Sequence, residues 1–312
     1  MKMDQLREAL PQWVDASRIF AKGGKVASYI PELAKAPGDS LGITIMDASG
    51  ETASAGDKHC PFTMQSISKV FTLLLALMDN GEEEVFAKVG MEPTGDDFNS
   101  MLKLELVEPG KPFNPLINAG AIAVSSLIRG DSPAAKTERI LAFFNEAAGG
   151  ASLAINQDVF RSESATAHRN RSLAYFLKDN EVLGEDIDVE DVLSVYFQHC
   201  SIEICCDQLA RMALLLSFDG FDPLAGRQIV PKRYVQIAKT FMIMCGMYNA
   251  SGEFAIKVGI PAKSGVSGGI LAIVPGRYGI GVIGPALGAK GNSTAGVHLL
   301  ESMSAALDWR IF

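Results

Sequence analysis

Strand-like segments stand at both ends of this chain, and helix-like segments fill its middle. Leu41-Gly42-Ile43-Thr44-Ile45-Met46-Asp47, then Ala48-Ser49-Gly50, then Glu51-Thr52-Ala53-Ser54-Ala55-Gly56 read as strand, tight turn and strand, a hairpin. Far down the chain, Phe254–Val258, Gly268–Pro275 and Tyr278–Ile283 read as three further strands. From Phe71 to Tyr248 the pattern is helical, with polar breaks near residues 92–95, 108–112, 129–133, 148–150 and 219–223. Residues 4–35 also read as helices, and Thr294–Arg310 as a closing helix. Strands at both ends mean that distant segments complete one sheet. The expected fold is α+β: an antiparallel sheet built from N- and C-terminal segments, flanked by helices, with a large helical insertion. One domain with two lobes is expected, about 1–65 with 250–312 and about 66–249, and the cleft between them is the candidate site.

The stretch Pro61-Phe62-Thr63-Met64-Gln65-Ser66-Ile67-Ser68-Lys69 leads into the apolar run Val70–Met78, which closes at Asn80-Gly81, a helix C-cap signal. Ser66 is expected in the first turn of a buried helix, with Lys69 one turn further on. Residues at i and i+3 share a helical face, so hydroxyl and amine can meet. A desolvated lysine of lowered pKa can take the serine proton, and a helix N-terminus supplies N–H groups for an oxyanion. The competing reading is a helix start with serines near its cap and a solvated lysine. Lys263-Ser264-Gly265, ahead of a glycine-rich strand, favours catalysis, because the order Ser-x-x-Lys then Lys-Ser-Gly is that of a class of acyl-transfer enzymes.

With 312 residues, 48% hydrophobic and 21% charged, the chain can bury an ample core. Its net charge is −8 and its Lys and Arg residues are scattered, which argues against nucleic acid and anionic membranes as partners. Charge near the start, at Lys2, Asp4, Arg7 and Glu8, argues against an export signal, and no apolar run is long enough to span a bilayer. Five cysteines, Cys60, Cys200, Cys205, Cys206 and Cys245, read as reduced cytosolic thiols. His199 with Cys200, Cys205 and Cys206 superficially resembles a metal cluster. Buried cysteines acting as small hydrophobes are the better reading, and no metal is expected. Cys60 is an alternative nucleophile, but no histidine stands in a motif to serve it.

Other polar positions carry two readings each. Asn114 and Asn118 either cap a helix or present donor and acceptor to a polar ligand group. Glu163 and Asn170, seven apart, share a face if their helix is continuous; the carboxylate then binds a substrate ammonium, or the segment is a solvated helix start capped by Ser164 or Thr166. Tyr248 either packs or aims its phenol at the cleft. Glycines in the run Gly259–Gly269 let backbone approach a ligand, and N–H groups of Ser66 and Val266 can form an oxyanion hole.

Together these segments resemble the serine-dependent glutaminase family, over nearly the whole length. The resemblance rests on Gln65-Ser66-Ile67-Ser68-Lys69, Asn114–Ile122, Ser162-Glu163, Arg169-Asn170, Tyr196–Glu203, Cys245-Gly246-Met247-Tyr248 and Pro261–Ile270. It implies a β-lactamase/transpeptidase-like fold and hydrolysis of L-glutamine to L-glutamate and ammonia. It implies Ser66 as nucleophile, Lys69 as base, Tyr248 as proton carrier to the leaving ammonia, and Tyr29 as a further tyrosine at the site. Substrate-binding residues implied are Ser66, Asn118, Glu163, Asn170, Tyr196, Tyr248 and Val266. No metal or organic cofactor is implied; a homotetramer is, and the charged start and the cysteine usage point to the cytoplasm. The chain departs from β-lactamases in lacking a Ser-Asp-Asn tripeptide. A penicillin-interactive hydrolase and an amino-acid-binding protein with a decayed site are the competing readings.

Overall fold

The computed structural model describes residues 2–94 and 110–312. The break expected at 108–112 and the end of the one at 92–95 therefore fall partly outside the described residues.

The chain opens with helix α1 (Met3–Arg18), the hairpin strands β1 (Gly42–Asp47) and β2 (Thr52–Gly56), the short β3 (Phe62–Thr63), and α2 (Ser68–Lys88). Helices α3 (Asn118–Leu127) and α4 (Pro133–Ala147), strand β4 (Ala154–Ile155), and helices α5 (Gln157–Thr166), α6 (His168–Asp179) and α7 (Val189–Cys200) follow. Strand β5 (Ile202–Ile204) leads into α8 (Cys206–Ser217), the small hairpin β6 (Phe221–Asp222) and β7 (Arg227–Gln228), then α9 (Lys232–Cys245) and α10 (Ser251–Lys257). Strands β8 (Ala262–Ser264), β9 (Gly269–Val274) and β10 (Tyr278–Ile283) and helix α11 (Thr294–Leu307) complete it.

The main sheet has the order β2-β1-β10-β9-β8, antiparallel throughout. The N-terminal hairpin thus joins the C-terminal strands, with Ile43 opposite Val282. This is the expected α+β architecture. Ile43, Ile45, Ile270, Ala272, Ile280 and Val282 pack with Leu6, Leu10 and Val14 of α1 and Leu299 and Met303 of α11 in one apolar cluster. The alternate residues Leu271, Ile273 and Ile283 join a second cluster with α2, α3, α4, α7, α8 and α9. Period-two alternation therefore feeds two cores from one sheet. Helix α8 crosses β10 at Gly279 and Gly281, where a Cβ would lie 2.2 Å from the Ala210 carbonyl oxygen and 2.5 Å from that of Cys206. Only glycine permits backbone to pack on backbone there.

Three local expectations are corrected. Residues 254–258 are not a strand: Ser251–Lys257 is helix α10, with Phe254 and Val258 buried one turn apart, Ile256 80% exposed, and Glu253 paired with Lys257 at 2.7 Å. The third C-terminal strand is Ala262–Ser264 instead. Within 4–35, helix gives way after Arg18 to short 3-10 turns at Ile19–Gly23 and Leu33–Lys35. Between them Lys25 pairs with Leu287 through backbone bonds of 2.8 and 2.9 Å, while Gly23, Gly24 and Pro31 interrupt any helix. At Asn80-Gly81 the first helix does stop, since Gly81 has φ 84°, but helical backbone resumes to Lys88.

Candidate active site

The floor of the cleft is the turn from β3 into α2. Ser66 lies on a 3-10 turn, Gln65–Ile67, rather than in the α-helix proper, which starts at Ser68. Gln65 is left-handed, with φ 47°, a conformation costly for a non-glycine residue. Its side chain is tied down by Nε2, which donates to Thr63 Oγ1 at 3.3 Å, the Cys200 carbonyl at 3.4 Å and Glu163 Oε2 at 3.4 Å.

Lys69 is wholly buried in the first turn of α2. Its Nζ donates to Asn118 Oδ1 at 2.6 Å and to the Leu116 carbonyl at 3.3 Å. Its hydrogen bonds go to these two groups and not to Ser66, although i and i+3 spacing puts the two residues on one floor. Burial pushes the Lys69 pKa down to about 8, against the opposing pull of Glu163. Ser66 instead engages the phenol of Tyr248, a contact that lowers the phenol pKa while burial raises it more.

Asn118 links Lys69 to Asn170. It accepts from Lys69 and donates through Nδ2 to Asn170 Oδ1 at 2.9 Å, so its amide orientation follows from the network. Asn118 opens α3 without a side-chain cap, and the preceding turn is held by Asn114, whose Oδ1 accepts from the N–H groups of Leu116 and Ile117. Glu163 and Asn170 do not share one helix. They stand on α5 and α6, which break at Ala167, and α5 is capped by Asn156 rather than by Ser164 or Thr166. The break still turns both residues into the cleft. Glu163 is buried, and burial pushes its carboxyl up to about 7 despite the Gln65 hydrogen bond and the Lys69 charge. Tyr196 is buried in α7, edge-on to Phe197 and His199, and burial raises its phenol pKa strongly.

One cleft is lined by Tyr29, Ser66, Asn118, Glu163, Asn170, Tyr196 and Val266, with Gln65, Thr166, Arg169 and Cys200. Tyr29 and Val266 also border the adjoining cavity that holds Tyr248. Tyr29 is 57% exposed as a residue, but its phenol end is desolvated and senses Tyr248 and Glu163, both of which raise its pKa. All nine expected site residues are thus at or beside one cleft. Cys60 lines a different cavity, with Glu203 and Asn156. His199 and Cys200 are buried side chains of α7, and among the described residues no cluster of metal-ligating groups occurs.

Sequence reasoning noticed the Lys263 motif but gave that residue no place in the site. Lys263 is fully buried on β8, donates to the Ser264 carbonyl at 2.7 Å, and holds Nζ 4.3 Å from the centroid of the Tyr248 ring. Burial and the Lys69 charge push its pKa well down. The available signal was the Lys-Ser-Gly motif itself, a lysine directly ahead of the glycine-rich run. Tyr248 has φ 53°, a second strained position at the site.

A family model described as Glutaminase matches residues 24–312. A glutaminase of Alkaliphilus metalliredigens is 53% identical over 98% of this chain and 100% of its own. One of Geobacillus thermodenitrificans is 53% identical over 98% of each. Among solved structures, a Bacillus glutaminase in 4.3 M NaCl superposes with a TM-score of 0.91 at 42% identity, covering 98% of this chain and 99% of that one. A Bacillus subtilis glutaminase in covalent complex with 5-oxo-L-norleucine, formed by reaction with 6-diazo-5-oxo-L-norleucine, superposes at 0.88 with 40% identity, covering 98% and 99%. The chain belongs to the glutaminase family.

Proposed function

We propose that this glutaminase hydrolyses L-glutamine to L-glutamate and ammonia through a covalent ester on Ser66. In this reading the Ser66 hydroxyl attacks the side-chain amide carbon. Neutral Lys69, favoured by its depressed pKa, takes the proton. The N–H groups of Ser66 and Val266 hold the developing oxyanion. Tyr248 passes a proton to the leaving ammonia, and water then cleaves the glutamyl ester. Glu163 receives the α-ammonium, and Asn118, Asn170 and Tyr196 complete the recognition of the amino-acid end, with Tyr29 at the mouth.

The observation that carries this reading is the meeting, in one cleft, of Ser66 and Glu163 over a buried lysine of lowered pKa. The covalent complex of the Bacillus subtilis relative with a reagent-derived 5-oxo-L-norleucine supports a nucleophile in the family. The Ser-x-x-Lys and Lys-Ser-Gly order supports a β-lactamase-like arrangement for it. We read the chain as one domain whose lobes are about 1–65 with 250–312 and about 66–249. The protein acts in this reading as a cytoplasmic homotetramer without a cofactor. Among the described residues no helix is long and apolar enough to cross a membrane.

The test is ammonia release by purified protein from L-glutamine, with L-asparagine, D-glutamine and the Ser66→Ala variant as controls. Release from L-glutamine that falls by about 10³-fold or more in Ser66→Ala is expected. Undiminished release by that variant overturns the mechanism.

A further inference from the structure

Behind the nucleophile lies a buried histidine that the mechanism does not use. His199, near the end of α7, is 1% exposed and stands between two serines. Its Nδ1 is 2.7 Å from Ser68 Oγ, and its Nε2 is 3.1 Å from Ser125 Oγ on α3. Each serine oxygen also has a backbone carbonyl within reach. Ser68 Oγ is 2.6 Å from the Gln65 carbonyl, and Ser125 Oγ is 2.8 Å from that of Ala121. The Gln65 carbonyl belongs to the peptide unit that joins the left-handed Gln65 to Ser66.

Counting protons decides how this chain is polarised. Apart from the long 3.9 Å contact between Ser68 Oγ and Cys200 Sγ, to which the thiol brings its own hydrogen, two hydroxyls and a neutral imidazole supply three hydrogens for four contacts, so one contact must go without. Burial, reinforced by the Lys69 charge, pushes the His199 pKa down to about 3, so the ring is neutral. If Nδ1 carries the hydrogen, it donates to Ser68, and Ser68 donates to the Gln65 carbonyl. Ser125 then donates to Nε2 and gives up Ala121, a carbonyl inside α3 that keeps its helical partner. If Nε2 carries the hydrogen, the Ser68 hydroxyl turns to the ring, and the Gln65 carbonyl keeps only the Ser68 backbone N–H. Both arrangements keep the 2.7 Å contact between Ser68 and the ring; the shorter carbonyl contact, 2.6 Å at Gln65 against 2.8 Å at Ala121, favours the first.

We infer that His199 is a positioning residue: through Nδ1–H and the Ser68 hydroxyl it clamps the strained Gln65–Ser66 peptide and so aims the nucleophile. The inference rests on Ser66 being the nucleophile. It assigns His199 no contact with substrate. Loosening the clamp lets the left-handed turn relax and displaces Ser66, and misplacement on the order of 1 Å costs about 10²-fold in rate.

Substitutions that mimic one ring nitrogen at a time test this. Asparagine can place a donor near the Nδ1 position, whereas glutamine reaches toward Nε2. His199→Gln and Ser68→Ala are expected to lower kcat about 10- to 100-fold with KM within about threefold, and His199→Asn to recover most of kcat. The double variant Ser68→Ala/His199→Gln is expected to be no worse than either single one, because both cut the same link. A merely space-filling role gives the opposite order, with the larger glutamine better tolerated. Ser68→Ala removes one oxygen and tests the clamp even if neither His199 variant folds; parental kcat in Ser68→Ala overturns the inference. So does a double variant whose losses multiply. Inactive Ser66→Ala beside fully active Ser68→Ala defeats the clamp alone, whereas active Ser66→Ala defeats the nucleophile itself.

Discussion

The cleft has two walls, and each sets a strained non-glycine residue beside a buried lysine. On one wall Gln65, φ 47°, precedes Ser66 and Lys69. On the other Tyr248, φ 53°, stacks its ring near Lys263. Each such conformation costs on the order of 1–3 kcal/mol, and only surrounding structure can hold it. The first wall is held from all sides. Met64 and Ile67 are fully buried, and Thr63, Ser68, Glu163 and the Cys200 carbonyl grip Gln65. The second wall is a short 3-10 turn, Tyr248–Ala250. Ser251 Oγ donates to the Tyr248 carbonyl at 2.8 Å and accepts from Met247 N–H at 3.0 Å, and Asn292 Nδ2 donates to the Met247 carbonyl at 3.2 Å. Behind it lies a cavity of about 300 Å³ bordered by Met247, Phe254, Asn292 and Val297. Packed strain is rigid, whereas strain beside a void can relax. In the proposed mechanism this contrast sets a fixed nucleophile opposite an adjustable proton carrier.

The two lysines give the sharpest comparison. Lys69→Met is expected to lower kcat by about 10³-fold or more, because the base is lost, and Lys263→Met by about 10- to 100-fold, because only the setting of Tyr248 changes. Equal losses in steady-state assays would erase the distinction between the walls.

Glu163 comes next. Glu163→Gln is expected to raise KM for glutamine by about 10²-fold with a smaller change in kcat, as one charge-assisted contact disappears. The pH profile carries the same logic. The Glu163 carboxyl, raised to about 7, is charged only above that value, and Lys69, lowered to about 8, is a base only above its own. In the parent protein kcat/KM therefore rises with pH through the range 7–8, and falls more steeply below 7, where both groups are protonated. In Glu163→Gln the lower step vanishes and the Lys69 step remains. A profile unchanged by that substitution removes Glu163 from the recognition of charge.

The smallest effect is expected at the brace of the second wall. Asn292→Ala removes one buried hydrogen bond, about 1 kcal/mol, and lowers Tm by about 2 °C. The same change loosens Tyr248 and lowers kcat about three- to tenfold, readable by calorimetry and ammonia release together. Loss of stability at full activity would mean that the second wall is as rigid as the first.

Much of this was legible in the chain. The hairpin at 42–56 and the strands at 269–283 were readable because turn residues separate short β-branched and apolar runs, and the sheet built from both ends followed from them. Phe254–Val258 misled because five residues with apolar positions at i, i+2 and i+4 satisfy both periods, and only tertiary burial chooses between them. The segment near Tyr29 misled because its apolar residues face the cleft and the neighbouring loop rather than a helix stripe. Ser66 and Lys69 stood out through local chemistry. Asn118 and the Val266 N–H were also candidates on local chemistry, Asn118 beside a helix-capping alternative, but Tyr196 was not: it reaches the cleft from the middle of an apolar helix, and the ordered set of family motifs located it, not periodicity. The break between Glu163 and Asn170 has no strong signal, since Ala167 is an ordinary helix former.

The pairing of Ile43 with Val282 has a consequence in time. The two residues are 239 positions apart (282 − 43). At a synthesis rate of about 5–20 residues per second, the hairpin made first waits on the order of ten seconds or more for the strand that completes its sheet. During that interval Ile43 and Ile45 have α1 but neither the later strands nor α11 against them, and α8, already made, lacks the two glycines on which it will lie. A nascent chain of this protein is therefore exposed to cellular folding factors through nearly its whole synthesis, and catalytic competence arrives only with its last strands.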